Sequence, residues 1–299
     1  MRYSRIALLL SAVTLIITFL VFIVYAPLTV SVSFDVERDP PLANMNYVTF
    51  HGVDEIPLIL DILEKHDTKV TFFVTGRIAD RYPEVLGKIV KEGHEVGVHG
   101  GYFHDKTLKG LSAMDQRDMI KETYDLIEAS TGRAPRGYRA PGHLVDSSTI
   151  EALDDLGFLY DSSVVPSVVG WYLYGHSFYS SDRPYHPDHE NVFRAGVSSV
   201  AEVPLSPVFL NGNLDSLLGY QGVIITELEL FIAVVDSKLT GEPLVLYLHP
   251  GIMTDLSNTP KNYRAGRELQ DEFDDVLYFL DRFNPEYVTM KELVQEGYA

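Results

Sequence analysis

Residues 29–37 read Thr-Val-Ser-Val-Ser-Phe-Asp-Val-Glu. The β-branched and apolar run predicts a strand over Thr29–Val36 that ends at a pair of carboxylates, Asp35 and Glu37. Two residues apart on a strand, both acids face one side and Val36 the other. Two carboxylates on one face beside an apolar run are costly unless a cation or basic group compensates them, so something positive is expected there. The competing reading is that the strand has already ended and both acids are solvated.

From this strand outward, apolar strand-like runs alternate with amphipathic helical patterns, the signature of parallel βα units. Ile56, Ile59, Leu60 and Leu63 recur at a helical period within Asp54–His66. Lys69–Thr75 reads as a strand, and Ile78, Tyr82, Val85, Leu86, Ile89 and Val90 mark one helix before a short strand at Glu95–Val98 that runs into His99. Ser112 is placed to cap a helix that Gly132 ends. Arg136–Arg139 is the next strand, and Ser148 with Glu151 has capping-box spacing before a stop at Gly157.

Further strands are predicted at Tyr160–Val165, Val200–Leu205, Leu244–Leu248 and Tyr287–Thr289, with a helix around Phe273–Leu280 and a terminal helix. Residues 166–199, rich in Gly, Pro, Ser and aromatics, read as a long loop or cap. The fold class is α/β, and seven or eight βα units suit a barrel; a doubly wound open sheet would explain the same alternation. No phosphate-binding glycine fingerprint follows the first strand, which weakens a nucleotide-binding reading.

The 299 residues are 46% hydrophobic, enough for a sizeable core. With 42 acidic against 24 basic side chains, the net charge of -18 argues against binding nucleic acid or anionic lipid through bulk electrostatics. The absence of cysteine excludes disulfides and thiolate metal sites, so any metal must be held by His, Asp and Glu. Upstream of the first strand, Ile6–Tyr25 is an uncharged run of 20 residues, about the length that crosses a bilayer core of roughly 30 Å, and Arg2 and Arg5 precede it. The expected organisation is a short cytoplasmic segment at 1–5, a transmembrane signal-anchor helix at 6–26 and a single extracytoplasmic domain at 27–299. The rival reading is a secreted protein, cleaved after Ala26 with Val24 before it and Pro27 following the cut.

Four segments end in groups suited to metal-assisted hydrolysis, and because they run from residue 35 to residue 249 they converge only on the rim of a barrel or sheet. His99 and His104 are five apart, about 140° on a regular helix, which is poor for one metal; Gly100 and Gly101 can relieve it. With Glu37 they make two imidazoles and a carboxylate, a set suited to zinc with one position open to water; the bland alternative is a pair of surface histidines. Arg139, in Gly-Tyr-Arg-Ala-Pro-Gly, can hold Asp35 ionised through a charge-assisted pair, or form an ordinary surface pair. His249 follows the apolar strand Leu-Val-Leu-Tyr-Leu and is read as a catalytic acid, against a structural histidine. His143 stands beside the Arg139 turn, His94 precedes its strand and belongs at the opposite end, and the aromatic group that includes Trp171 either stacks on a sugar or packs its own loop. In the mechanism these residues support, Asp35 takes a proton from water attacking an amide carbonyl, the Gly142 N–H assists at the oxyanion, and His249 protonates the departing amine.

Ser-Phe-Asp-Val-Glu (33–37), Gly-His-Glu-Val-Gly-Val-His (93–99) with the later His104, Tyr-Arg-Ala-Pro-Gly (138–142) and Leu-Tyr-Leu-His-Pro (246–250), in that order, resemble the polysaccharide deacetylases of the NodB-homology type, carbohydrate esterase family 4, in an Asp-Val-Glu subgroup. The resemblance runs from Thr29 to the C-terminus. It implies a distorted (β/α)7 barrel, here preceded by the transmembrane helix expected from the uncharged run, and metal-dependent removal of acetyl groups from an N-acetylated glycan. It also implies Asp35 as general base, Glu37, His99 and His104 as ligands of one divalent ion (Zn2+, with Co2+, Ni2+ or Mn2+ as substitutes), Arg139 as the group positioning the base and His249 as the acid. Gly142 and Trp171 are the candidate oxyanion and substrate contacts, and Asp161 is the candidate partner acid for His249. Two other classes stay open: an amidohydrolase of small cyclic amides or imides, and a glycan-binding homologue without activity.

Overall fold

The computed structural model describes residues 2–39, 49–103, 107–166, 172, 181, 183–207, 214–254 and 266–298. An N-terminal helix, α1 (Arg2–Tyr25), leads within a few residues into β1 (Thr29–Val36), the strand expected from the sequence. The remaining parallel strands are β2 (Thr71–Val74), β3 (Glu95–His99), β4 (Gly137–Arg139), β5 (Tyr160–Asp161), β6 (Ala201–Glu202), β7 (Leu244–Leu248) and β8 (Glu286–Tyr287). They form one curled sheet in the order β6-β5-β4-β3-β2-β1-β7, with β8 pairing the start of β1. Between its edges the Ser206 N–H donates to the Val245 carbonyl (2.9 Å) and the Val245 N–H to Ser206 Oγ (2.8 Å), so the curl is drawn toward a barrel. An α/β fold with a curled parallel sheet is thus present, as the alternation of patterns requires.

Strand alternation sorts side chains into two cores. Val30, Val32, Phe34 and Val36 of β1, with Phe72, Val98, Tyr138, Leu246 and Leu248, pack outward against the helices. Phe73, Tyr160, Val203, Val245, Tyr247 and Met290 pack inside the curl. The inward positions of β1 are Ser31, Ser33 and Asp35, all buried, so a polar stripe runs through an otherwise apolar interior. Gly137 of β4 is where two inner layers meet: a Cβ there would lie 2.0 Å from Tyr160 Cζ.

The helices follow their sequence signals with instructive departures. α2 (Gly52–Lys65) buries Ile56, Ile59, Leu60 and Leu63. The single helix expected over Ile78–Val90 is two, α3 (Gly76–Arg81) and α4 (Pro83–Lys91), because Pro83 pushes Tyr82 out of the helical region. Ser112 caps α5 (Ala113–Thr131), which ends on left-handed Gly132 (φ 68°). The capping box of α6 (Ser147–Leu156) is Asp146 with Thr149, not Ser148 with Glu151, since the helix starts earlier than expected and Asp146 already accepts the Thr149 N–H. Two helices that periodicity did not reveal, α7 (Leu214–Gln221) and α8 (Val223–Thr240), fill the interval before β7. α8 carries most of its large apolar residues on its exposed side, while Thr226, Glu229, Ser237 and Lys238 are buried beside Leu230 and Val234, so no apolar core stripe marks it. α9 (Arg267–Asp281) precedes β8, and the short α10 (Met290–Leu293) follows it and runs into a wider helical turn at Val294–Tyr298.

Among the described residues no helix is long and apolar enough to cross a membrane, and several side chains of α1 lie outside that set. The transmembrane helix expected at 6–26 therefore stands on the sequence alone. Gly137→Ala is expected to cost about 1–3 kcal/mol in urea unfolding, because the added methyl must displace the buried Tyr160 ring, whose hydroxyl donates to Glu95 Oε1 (3.0 Å). An unchanged midpoint would show that the inner layers are not packed as described.

Candidate active site

The C-terminal ends of β1, β3, β4 and β7 bring Asp35, Glu37, His99, Arg139 and His249 to one rim. Arg139 is buried completely and points inward from β4. Its Nη1 donates to Asp35 Oδ1 (2.7 Å) and Ser33 Oγ (2.9 Å), its Nε to the Ser162 carbonyl (2.8 Å), and its Nη2 to Ser162 Oγ (3.0 Å). The guanidinium also lies over the Phe73 ring at 4.3 Å and the Tyr247 ring at 5.3 Å. A charge this deep is tolerated because its donors find acceptors and its faces find π-systems. Burial would push the Asp35 carboxyl upward, but Arg139 and the neighbouring His99, His249 and His143 outweigh it and hold the group below its ordinary value. Asp35 is therefore ionised and oriented, the state a proton acceptor requires.

His249 is the opposite pole. Its backbone N–H donates to Asp215 Oδ1 (3.0 Å) and its Nδ1–H donates to Asp215 Oδ2, which fixes the ring. Its Nε2 faces the rim, 3.7 Å from Glu37 Oε1 and 4.0 Å from Asp35 Oδ2. Burial works against the imidazolium, yet Asp215, followed by Glu37 and Asp35, raises the ring to about 10. A protonated imidazole with a free-facing Nε2–H is a competent acid. The partner acid is thus Asp215 at the start of α7, and not Asp161, which turns toward Ser163. Asp215 lies 34 positions before His249 on a helix that no sequence signal announced, so spacing could not have paired the two.

Asp161 belongs to a second buried arrangement. It stands beside Glu202 across the β5–β6 register, and Glu202 Oε1 accepts the N–H groups of Ser163 and Val164. Burial pushes Asp161 up to about 6 and, with Asp161 alongside, Glu202 well above the carboxylate range. The pair holds a shared proton under the Ser162 contacts of Arg139.

His99 and Glu37 carry the test for a metal. His99 Nδ1 lies 3.0 Å from the Arg139 carbonyl, which can only accept, so Nδ1 carries a proton and donates it. Its Nε2 faces Glu37 Oε2 at 3.1 Å, so an imidazole nitrogen and a carboxylate oxygen converge on one point. A histidine whose far nitrogen is tied to a carbonyl is also the usual form of a metal ligand. Glu37 and His99 therefore fit a divalent ion. Among the described residues no group of three His, Asp or Glu side chains is placed to hold one, and His104, the expected third ligand, lies outside the described residues. Gly100 takes φ 63°, so the chain does turn off a regular path between His99 and His104.

Of the other expected residues, Gly142 is exposed at the rim with φ 60°, and His143 beside it is buried with Nε2 3.0 Å from the Tyr247 hydroxyl. Trp171 lies outside the described residues. His94 is at the far end of the sheet, accepting the Val70 N–H, as its position before β3 required.

Two measurements probe this electrostatic arrangement. Asp215→Asn should lower the His249 titration, followed by NMR, by about one unit or more; an unmoved value would remove Asp215 as the cause. Arg139→Met should cost about 3–5 kcal/mol at neutral pH, because it strands a buried carboxylate. Asp35 has a depressed folded pKa, so its contribution is present above the unfolded value and is lost as pH falls through the folded one. The deficit of the variant should accordingly narrow in urea melts as pH is taken down through the carboxylate range, and a pH-independent deficit would contradict the assignment.

A family model described as polysaccharide deacetylase matches residues 33–160. The peptidoglycan deacetylase of Helicobacter pylori is 35% identical over 116 residues, which cover 39% of this chain and 39% of that protein. The peptidoglycan-N-acetylglucosamine deacetylase of Bacillus cereus is 35% identical over 85 residues, 28% of this chain and 30% of that protein. The matched stretch thus spans well under half the length of these curated relatives. A solved structure of a putative polysaccharide deacetylase from Mycobacterium smegmatis is similar over 91% of both chains, with 25% identity and a TM-score of 0.64. The stretch that matches the polysaccharide deacetylase family model, residues 33–160, is the one that carries Asp35, Glu37, His99 and Arg139.

Proposed function

We propose that this protein is a metal-dependent N-deacetylase that hydrolyses the acetamido groups of a cell-surface glycan and releases acetate. The observation that carries the reading is the pairing of opposites on one rim: an ionised Asp35 held by Arg139 and a protonated His249 held by Asp215, on either side of the Glu37–His99 pair. Two titratable groups in one pocket with pKa values driven apart are the mark of an acid and a base with separate duties.

In this reading Glu37 and His99, with His104, hold one divalent ion, zinc in the first instance, which when bound polarises the amide carbonyl and acidifies water. Asp35 accepts the proton of the attacking water as its oxygen bonds to the acetyl carbon. The Gly142 N–H donates toward the oxyanion. His249 Nε2–H passes its proton to the amide nitrogen as the C–N bond breaks, leaving acetate and a free amine. Arg139 orients Asp35 through the whole cycle and contacts no substrate atom.

The names of the curated relatives favour peptidoglycan as the N-acetylated glycan. A membrane anchor at residues 6–26 agrees with such a substrate. It is supported by the uncharged run Ile6–Tyr25, by Arg2 and Arg5 before it, and by the exposure of Leu10, Leu15 and Ile17 along α1. Arg2 and Arg5 before the run support an orientation with the catalytic domain outside the cytoplasm.

Full-length protein in detergent should release acetate from N-acetylated oligosaccharides, lose the activity to a chelator and regain it with zinc. Asp35→Asn and His249→Ala should each reduce kcat by about 10²–10⁴-fold. Turnover that survives both the chelator and Asp35→Asn would overturn the reading.

A further inference from the structure

α8 presents an apolar face that nothing in the site explains. On a wheel of about 100° per residue, Ile224, Ile225, Leu228, Phe231, Ile232 and Leu239 fall within an arc of about 120° that holds no charged or polar residue. These six side chains are between 39% and 80% exposed, along a helix about 27 Å long. The opposite side of α8, with Thr226, Leu230 and Val234, is the buried one. A continuous apolar strip of this size on a chain of net charge -18 marks a contact with something apolar.

The occupant is indicated by the end of α8. Lys238 is buried and its Nζ donates to the carbonyls of Ala26 (2.6 Å), Phe283 (3.0 Å) and Val24 (3.5 Å). It therefore caps the last turn of α1 and fixes the C-terminal end of α8 beside the point where α1 ends. Tyr25, at that point, is 80% exposed, as an aromatic at a bilayer surface would be. If α1 crosses a membrane, its last turn lies at the outer surface, and the exposed strip of α8 begins there.

The other end of α8 sets its direction. Three residues, Gly241–Pro243, join the end of α8 to the start of β7, whereas α7, which precedes α8 by one residue, begins at the Asp215–His249 contact beyond the end of β7. α8 thus runs antiparallel along β7, from near the catalytic rim to the α1 junction.

We infer that α8 lies in the outer surface of the bilayer that α1 crosses, with its apolar arc in the headgroup–acyl boundary, so that the catalytic rim opens sideways along the membrane rather than away from it. The inference rests on the anchor reading given under the proposed function. Glu227, Glu229 and Asp236 flank the arc, so insertion depends on apolar area and gains nothing from anionic lipid. It differs in this from a basic surface helix.

The absence of cysteine allows single nitroxide labels in the full-length protein, reconstituted in phosphatidylcholine nanodiscs. Leu228→Cys and Ile232→Cys would test the arc, Leu15→Cys the anchor and Glu151→Cys on α6 an aqueous reference. Labels at 228 and 232 should relax with oxygen and lose their collisions with a water-soluble nickel chelate, as the label at 15 does, while the label at 151 keeps them. A lipid-like signal at 15 with chelate access at 228 and 232, or with spin–spin broadening there from a second copy, would overturn the inference and leave the anchor standing. Chelate access at 15 as well would overturn both.

Discussion

The buried pair between Arg139 and Asp35 is the constraint around which the domain is organised. An unpaired guanidinium inside a parallel sheet would be prohibitively costly, and so would an unpaired carboxylate. Each is tolerated because the other is there, with Ser33 and Ser162 taking the remaining donors and Phe73 and Tyr247 covering the flat faces. Ser33 of the β1 polar stripe and Ser162 after β5 stand where they do to serve that pair. The arrangement stiffens the point at which chemistry is expected.

Outward from that pair, charge alternates. Asp35 is held negative, His249 positive, and Glu37 lies between the His249 and His99 rings. Below Arg139 the Asp161–Glu202 pair keeps a proton, so the interior does not accumulate a second full negative charge. The arrangement keeps Asp35 and His249 oppositely charged 4.0 Å apart, each tied to its own buried partner.

Much of the fold was legible in residue order. β1 and β7 were read to their ends, Ser112 and Gly132 bound α5 as expected, and the alternation of inward and outward positions on β1 was decided by the period of the chain. Local signals failed where two of them competed, as at Pro83 and at Asp146, or where a helix exposes its apolar residues and buries polar ones, as in α8. All five rim residues were also legible, at four separate strand ends, since each segment follows a short apolar run and interrupts it with a group that a core does not accept unaided.

What the sequence determined alone is the inventory: an acidic, cysteine-free α/β chain with an apolar N-terminal run, and strands that end in Asp35, Glu37, His99, Arg139 and His249. Only the tertiary structure decided the partnerships. That Asp215 rather than Asp161 holds His249, that His99 turns its Nε2 to Glu37, and that Lys238 caps α1 are matters of distance through space between residues far apart along the chain. The reason is physical: periodicity reports which face a side chain occupies, whereas charge pairing depends on which faces the curl of the sheet brings together.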